Sequence, residues 1–365
     1  MRNLLVTMLV VTPLAAAAAS PDSSVSNEVG VADGQSDPRT PRAGQVTETI
    51  TGSVTVDRRW VLDMSAGLTA TQSTKGAARK VFGSEGGTAV FFSPGITFEA
   101  NDHFNFGVMG SYSPSSELRA DTTVVYQPRA GRTQAADAQV SAITSSWSTF
   151  ALVSYQTAGV SDWETTLDLD GGITHYDSEQ RLVAARDPQG LPLGLEQLKA
   201  DVRMFCVTAK CSRQLLNLFR ENETPLNQVT VRLGATETVH VDTDLGVHAS
   251  FYIYDRDPTD VGFYGLMATG RGTSFFQSGL PLAPLQWNVR PEITHRFDDL
   301  SARLWFEHGQ YVDSEGTMDT IGLKLQYKVT RGLRVWLTAS LQRDEDAVGD
   351  ATLFGQGTVG AMLLF

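Results

Sequence analysis

From Trp60 onward the chain alternates apolar and polar side chains with a period of two. In Leu245 to Tyr254, Leu245, Val247, Ala249, Phe251 and Ile253 fall on one face, opposite Gly246, His248, Ser250, Tyr252 and Tyr254. That is the signature of a strand with one apolar side. Thr320 to Val329 and Leu333 to Leu341 follow the same rule, and helical periodicity is nearly absent. Applied along the chain, the rule predicts strands near 60–70, 88–99, 103–113, 140–156, 162–176, 228–239, 245–255, 286–297, 300–311, 317–329, 332–342 and 353–365. The connections alternate in length. Those at 100–102, 157–161, 240–244, 298–299 and 330–331 are short, and most of the intervening ones are long.

An even number of strands, with short turns at one end and long loops at the other, is the layout of an outer-membrane barrel with its turns in the periplasm. The expected fold is therefore all-β: a transmembrane antiparallel up-and-down β-barrel of about 12 strands across residues 59–365. Val46 to Val56 also alternates, which leaves 10 to 14 strands open. The last strand ends Val359-Gly-Ala-Met-Leu-Leu-Phe365, with an aromatic at the terminus. On these residues the chain resembles the Gram-negative outer-membrane β-barrel class. The resemblance implies that the terminal strand and Phe365 are the assembly signal read by the barrel assembly machinery. Trp60, Tyr112, Trp147, Tyr155, Trp163, Trp287, Phe297 and Phe306 lie near predicted strand ends, where aromatic girdles meet the membrane interfaces.

The N-terminus agrees with that destination. Arg2, the apolar run Leu4 to Leu14 and the small residues Ala15 to Ala19 read as a signal peptide at 1–19, cleaved near Ala19. Residues 20–58 are rich in Ser, Pro, Asp, Gly and Gln and read as a flexible leader, with room for a short strand. The expected location is the outer membrane, in contact with its lipid. A net charge of −12 disfavours nucleic acid as a partner, because no broad basic surface would neutralise phosphate. The two cysteines, Cys206 and Cys211, are expected to form a disulfide in an exported chain. They lie in the longest loop, 177–227, where Leu193 to Met204 and Ser212 to Asn222 have helical composition.

If the apolar faces meet lipid, the opposite faces line the lumen. Arg290, Arg296, Arg303, Lys324, Lys328 and Arg334 then form a basic wall, with Glu292 and Glu307 among them. Asp63, Glu99, Glu164, Asp168 and Asp170 form an acidic wall. Opposed charge in a water-filled constriction orients and selects solutes, whereas the same charges paired between strands would close the interior. The first arrangement predicts a porin-like channel for small polar solutes, anions among them, or oligosaccharides. The alternative is a non-conducting barrel subunit of an envelope-spanning motility, secretion or polysaccharide-export complex, with the leader reaching periplasmic partners.

No enzymatic activity is expected. His248 and Ser250 resemble the His-x-Ser of outer-membrane phospholipases and lipid A deacylases. Here, however, the pair faces the lumen and Phe251 follows the serine. Neither an orienting group nor an oxyanion hole is identifiable. The histidines lack metal-ligand spacing, and no phosphate-binding loop is present, so neither metal nor cofactor is expected.

Overall fold

The computed structural model describes residues 23–35, 42–57, 59–75, 86–126, 134–157, 164–198, 222–256, 258, 285–312, 316–346 and 351–365. Fourteen strands follow in chain order. They are β1 (Ser24–Gln35), β2 (Arg42–Asp57), β3 (Trp60–Lys75), β4 (Gly86–Glu99), β5 (Phe104–Tyr126), β6 (Gln134–Gln156) and β7 (Thr165–Arg186). The second half comprises β8 (Asn222–His240), β9 (Thr243–Tyr254), β10 (Leu285–Phe297), β11 (Leu300–Tyr311), β12 (Gly316–Lys328), β13 (Leu333–Asp346) and β14 (Ala351–Leu364). Each pairs antiparallel with the next, and β1 pairs with β14 to close the barrel. Closure satisfies every strand's backbone groups within the wall, which is the condition for crossing hydrocarbon with strands.

The strand count is 14 rather than about 12, and the difference lies in the segment read as a flexible leader. Residues 24–35 and 42–57 are β1 and β2. Their outward positions do alternate, with Val25, Val29 and Val31 on β1 and Val46, Ile50 and Val54 on β2. Asn27, Glu48 and Gly52 interrupt the rows, and the inward positions are mostly Ser and Thr on β2 and Ser, Glu28, Gly and Ala on β1, so the segment's average is polar although its pattern is that of a strand. The longest loop is also shorter than expected, because β7 runs to Arg186 and β8 begins at Asn222. Among the described residues of that loop, 195–198 are helical, and Leu198 is buried. Cys206 and Cys211 lie outside the described residues, as do the signal segment 1–19 and Trp163.

Paired residues of antiparallel strands share a face, so the register separates outside from inside. Trp60, Leu62, Met64 and Leu68 on β3 are exposed on the outside, as are Phe104, Phe106 and Val108 on β5 and Leu245, Val247, Phe251 and Ile253 on β9. Strands β5, β6 and β7 run to 23, 23 and 22 residues. A tilted strand needs only about 9–11 residues to cross a bilayer. These three therefore continue past the membrane on the long-loop side. β5 is offset there by a bulge between Ser113 and Ser116.

Candidate functional site: the barrel lumen

Small polar side chains on inward positions leave space along the axis. The lumen holds a cavity of about 610 Å³. Its aromatic lining comes from Phe91, Phe150, Tyr252, Tyr254, Trp305 and Tyr311, interleaved with Ser93, Ser111, Ser148, Thr230, Thr320 and Gln342. One device keeps several of these rings from filling it. Phe91 stands directly opposite Gly67, Phe150 opposite Gly172 and Trp305 opposite Gly322. Nearer the short-turn end, Trp336 stands opposite Gly360 in the same way. In each case the ring occupies the place a Cβ would take on the glycine. A cross-strand glycine thus lets the aromatic lie flat on the wall, covering backbone that would otherwise be bare.

Two lining tyrosines, Tyr176 and Tyr254, are fixed by hydrogen bonds. Tyr176 donates to Gln228 Oε1 at 2.9 Å, and Tyr254 donates to the carbonyl of Leu285 at 3.0 Å. Glu307, also on the lining, accepts from the Asn288 amide at 2.6 Å.

Toward the short turns the wall becomes charged. The register places Arg290, Arg296, Arg303, Lys324, Lys328 and Arg334 on inward positions, as the alternation predicts. Counter-charges stand among them. Glu292, with only 9 % of its side chain exposed, lies 3.4 Å from Arg290, 3.8 Å from Arg303 and 3.5 Å from His248. Arg296 pairs with Asp244. Lys324 sits over the Trp336 ring at 5.1 Å, and the Trp336 indole donates to Glu28 at 2.7 Å. Lys328 and Arg334 face each other across β12 and β13 at the short-turn mouth, both exposed.

The acidic wall is similarly mixed. Asp63, Glu99, Asp168 and Asp170 take inward positions on β3, β4 and β7, while Glu164 lies just before β7. Asp170 has Arg232 of β8 at 3.7 Å, and that guanidinium also covers the Phe150 ring at 5.0 Å. Asp170 with Arg232, Arg296 with Asp244 and Arg303 with Glu292 are thus paired across neighbouring strands, while the predicted cations stand on β10 to β13 and the predicted acids on β3, β4 and β7 and just before β7.

Sequence reasoning missed Arg232, Asp244, Glu28 and Trp336 as partners. The first two were within reach: each lies on an inward position of a predicted strand or at its edge, and their partners are adjacent by register. Glu28 was hidden by the leader reading, and Trp336 required knowing that β1 closes on β14. His248 gains an acid neighbour in Glu292 that the sequence did not reveal, although two arginines share that carboxylate. Among the described residues no group of three or more His, Cys, Asp or Glu side chains is placed to hold a metal ion.

The chain has the architecture of Gram-negative outer-membrane β-barrels. It is similar in structure to a Pseudomonas aeruginosa FadL homologue, with 14 % identity over 94 % of this chain and 90 % of that chain and a TM-score of 0.51. The Pseudomonas putida toluene transporter TodX is similar at 11 % identity over 95 % and 90 %, with a TM-score of 0.51. So is the CymD monoaromatic hydrocarbon channel, at 7 % identity over 94 % and 88 %, with a TM-score of 0.54. No family model and no curated protein sequence matches the chain. At such identities the likeness is one of fold.

Proposed function

We propose that the protein is an outer-membrane channel for small solutes with an aromatic or largely apolar body and at most one polar group. The observation that carries this reading is the aromatic-walled chamber of about 610 Å³ above a belt of paired charges. A chamber of that size matches the clefts that hold one small molecule. An open pore selecting polar anions would instead present unpaired cations to water, and here Arg290, Arg296 and Arg303 each have a carboxylate close by. The fold is compatible, since similar barrels are described as a toluene transporter and a monoaromatic hydrocarbon channel. The alternative of a structural subunit drew its reach toward periplasmic partners from a free leader. That segment is built into the wall as β1 and β2.

The test is uptake of radiolabelled toluene and of a labelled hexose by a porin-deficient Gram-negative host expressing the protein, beside ion conductance of the purified barrel in planar bilayers. The reading expects toluene uptake above the host background, little hexose uptake and low conductance with weak ion preference. Rapid hexose entry with a large anion-selective conductance would replace it with the porin. Silence in all three assays from a folded, inserted barrel would remove the channel reading altogether.

A further inference from the structure

Among the described residues, two charged side chains line the chamber, Arg232 and Glu307. They are not equivalent. Arg232 is held against its own wall, 3.7 Å from Asp170 and 5.0 Å from the centre of the Phe150 ring. Glu307 stands on β11 opposite Thr320, two residues from Trp305 on the same inward row. Its Oε1 accepts from Asn288 Nδ2 at 2.6 Å. Among the described residues no other hydrogen bond reaches the carboxyl, and no cation lies within ion-pair distance of it. Arg290, two residues along β10 from Asn288, is turned to Glu292 at 3.4 Å. Glu307 Oε2 is thus neither bonded nor buried.

The rest of the polar lining is mostly hydroxyls and amides, which both donate and accept, whereas an ionised carboxylate only accepts. A solute that fills the chamber displaces water from Oε2. Toluene returns nothing, and a carboxylate stripped of water without a new partner is costly. A hydroxyl on the ring restores the bond, in its short charge-assisted form. Ionised head groups fit less well. Arg290 and Arg303 share Glu292, so with Glu307 the β10–β11 cluster holds two cations and two acids. An ammonium would tip that balance, and a carboxylate would set anion beside anion. Trp305, and Tyr252 next on the inward row to the Ser250 that faces Asn288, offer rings for the body of the solute.

We infer that Glu307 reads the polar group of the solute and that this group is a neutral hydroxyl. The preferred cargo is then a phenol or an aromatic alcohol, ahead of the bare hydrocarbon and the aromatic acid. The inference rests on the channel reading above and adds to it the chemistry of the head group.

The experiment offers labelled toluene, p-cresol and p-toluate, alike except for the para group, at low concentration to the porin-deficient host. The host carries wild type, Glu307→Leu, Glu307→Gln or Arg232→Gln, with insertion checked by the gel shift between heated and unheated barrel. Wild type should take up p-cresol at least about fivefold faster than toluene, as a bond to a charged acceptor allows, with p-toluate slowest. Glu307→Leu should slow p-cresol and speed toluene, bringing the two toward parity. Glu307→Gln keeps an acceptor oxygen and should keep part of the preference. A preference that Glu307→Leu leaves unchanged overturns the inference, and toluene entry then leaves the channel reading standing. Slowing of both solutes alike assigns Glu307 a structural role and overturns it too. So does fastest entry of p-toluate that is lost in Arg232→Gln, which would mark an anion site. Background uptake of all three solutes through an inserted barrel removes the channel reading and this inference with it.

Discussion

Gly322 offers the sharpest test of how the lumen is kept open. A Cβ at this position would come within 2.7 Å of Trp305 Cη2 and closer still to other atoms of the ring. Carbon contacts settle near ~3.5–4.0 Å, so in Gly322→Val the indole must retreat by about 1 Å or more. Both residues point inward from adjacent strands, and the open direction is the chamber that Trp305 lines. Overpacking of this kind costs about 1–3 kcal/mol, and the displaced ring narrows the cavity as well. The matched control is Gly355→Val, whose Cβ meets nothing within 4 Å on the outer face. Urea unfolding in detergent micelles gives the stability, and toluene uptake in the porin-deficient host gives the permeability. Gly322→Val should lose both, and Gly355→Val neither. Wild-type unfolding and uptake in Gly322→Val would refute the idea that glycine seats hold the rings against the wall.

Three further outcomes follow from the charged belt and the rim. Glu292→Gln leaves Arg290 and Arg303 facing an uncharged amide. The reversal potential of the barrel under a salt gradient should move toward anion selectivity, and an unmoved potential would mean that the arginines do not border the ion path. Trp336→Phe removes the indole donor to Glu28. Bonds to charged groups contribute about 1.5–3 kcal/mol, so the urea midpoint should fall, and an unchanged midpoint would show the bond to be idle. At the long-loop rim, partial burial pushes the Asp255 carboxyl up. The backbone and side-chain N–H groups of Asn227, with Arg256 beside it, outweigh that and hold it below the usual carboxylate range. A carboxyl lowered by folding stabilises the folded rim above its unfolded pKa, and that contribution is lost as pH falls through the folded value. The protection factor of the Asn227 amide, its exchange rate corrected for the intrinsic pH dependence, should therefore fall in acid in wild type, while in Asp255→Asn it should be low at every pH.

The wall was legible in sequence because period-two alternation is set by lipid on one side alone. Strands such as β9 and β12 follow it without exception at Leu245 to Ile253 and Ile321 to Val329. The same rule put Arg290, Arg296, Arg303, Lys324, Lys328 and Arg334 on inward positions, where the register has them. It passed over β1 and left β2 only as an option at Val46 to Val56, because Asn27, Glu48 and Gly52 occupy outward positions there. Pairing in the lumen was legible only in part. Asp170 and Arg232 lie on neighbouring strands and were within reach though not paired, whereas Glu28 and Trp336 are 308 positions apart, and only the closed ring brings them together.

That ring also dictates the order of events in making the protein. β1 has β2 on one side, but its other edge is answered only by β14, from Ser24 opposite Leu364 to Gln35 opposite Leu353. Until the last strand is made, the first presents a row of unpaired amides and carbonyls, a template for pairing with any other exposed strand. Contacts this distant in sequence form late and slowly. A chain shortened before Ala351 would keep nearly all its local hairpins and still lack a seam. Its expected fate is aggregation before insertion rather than a smaller pore.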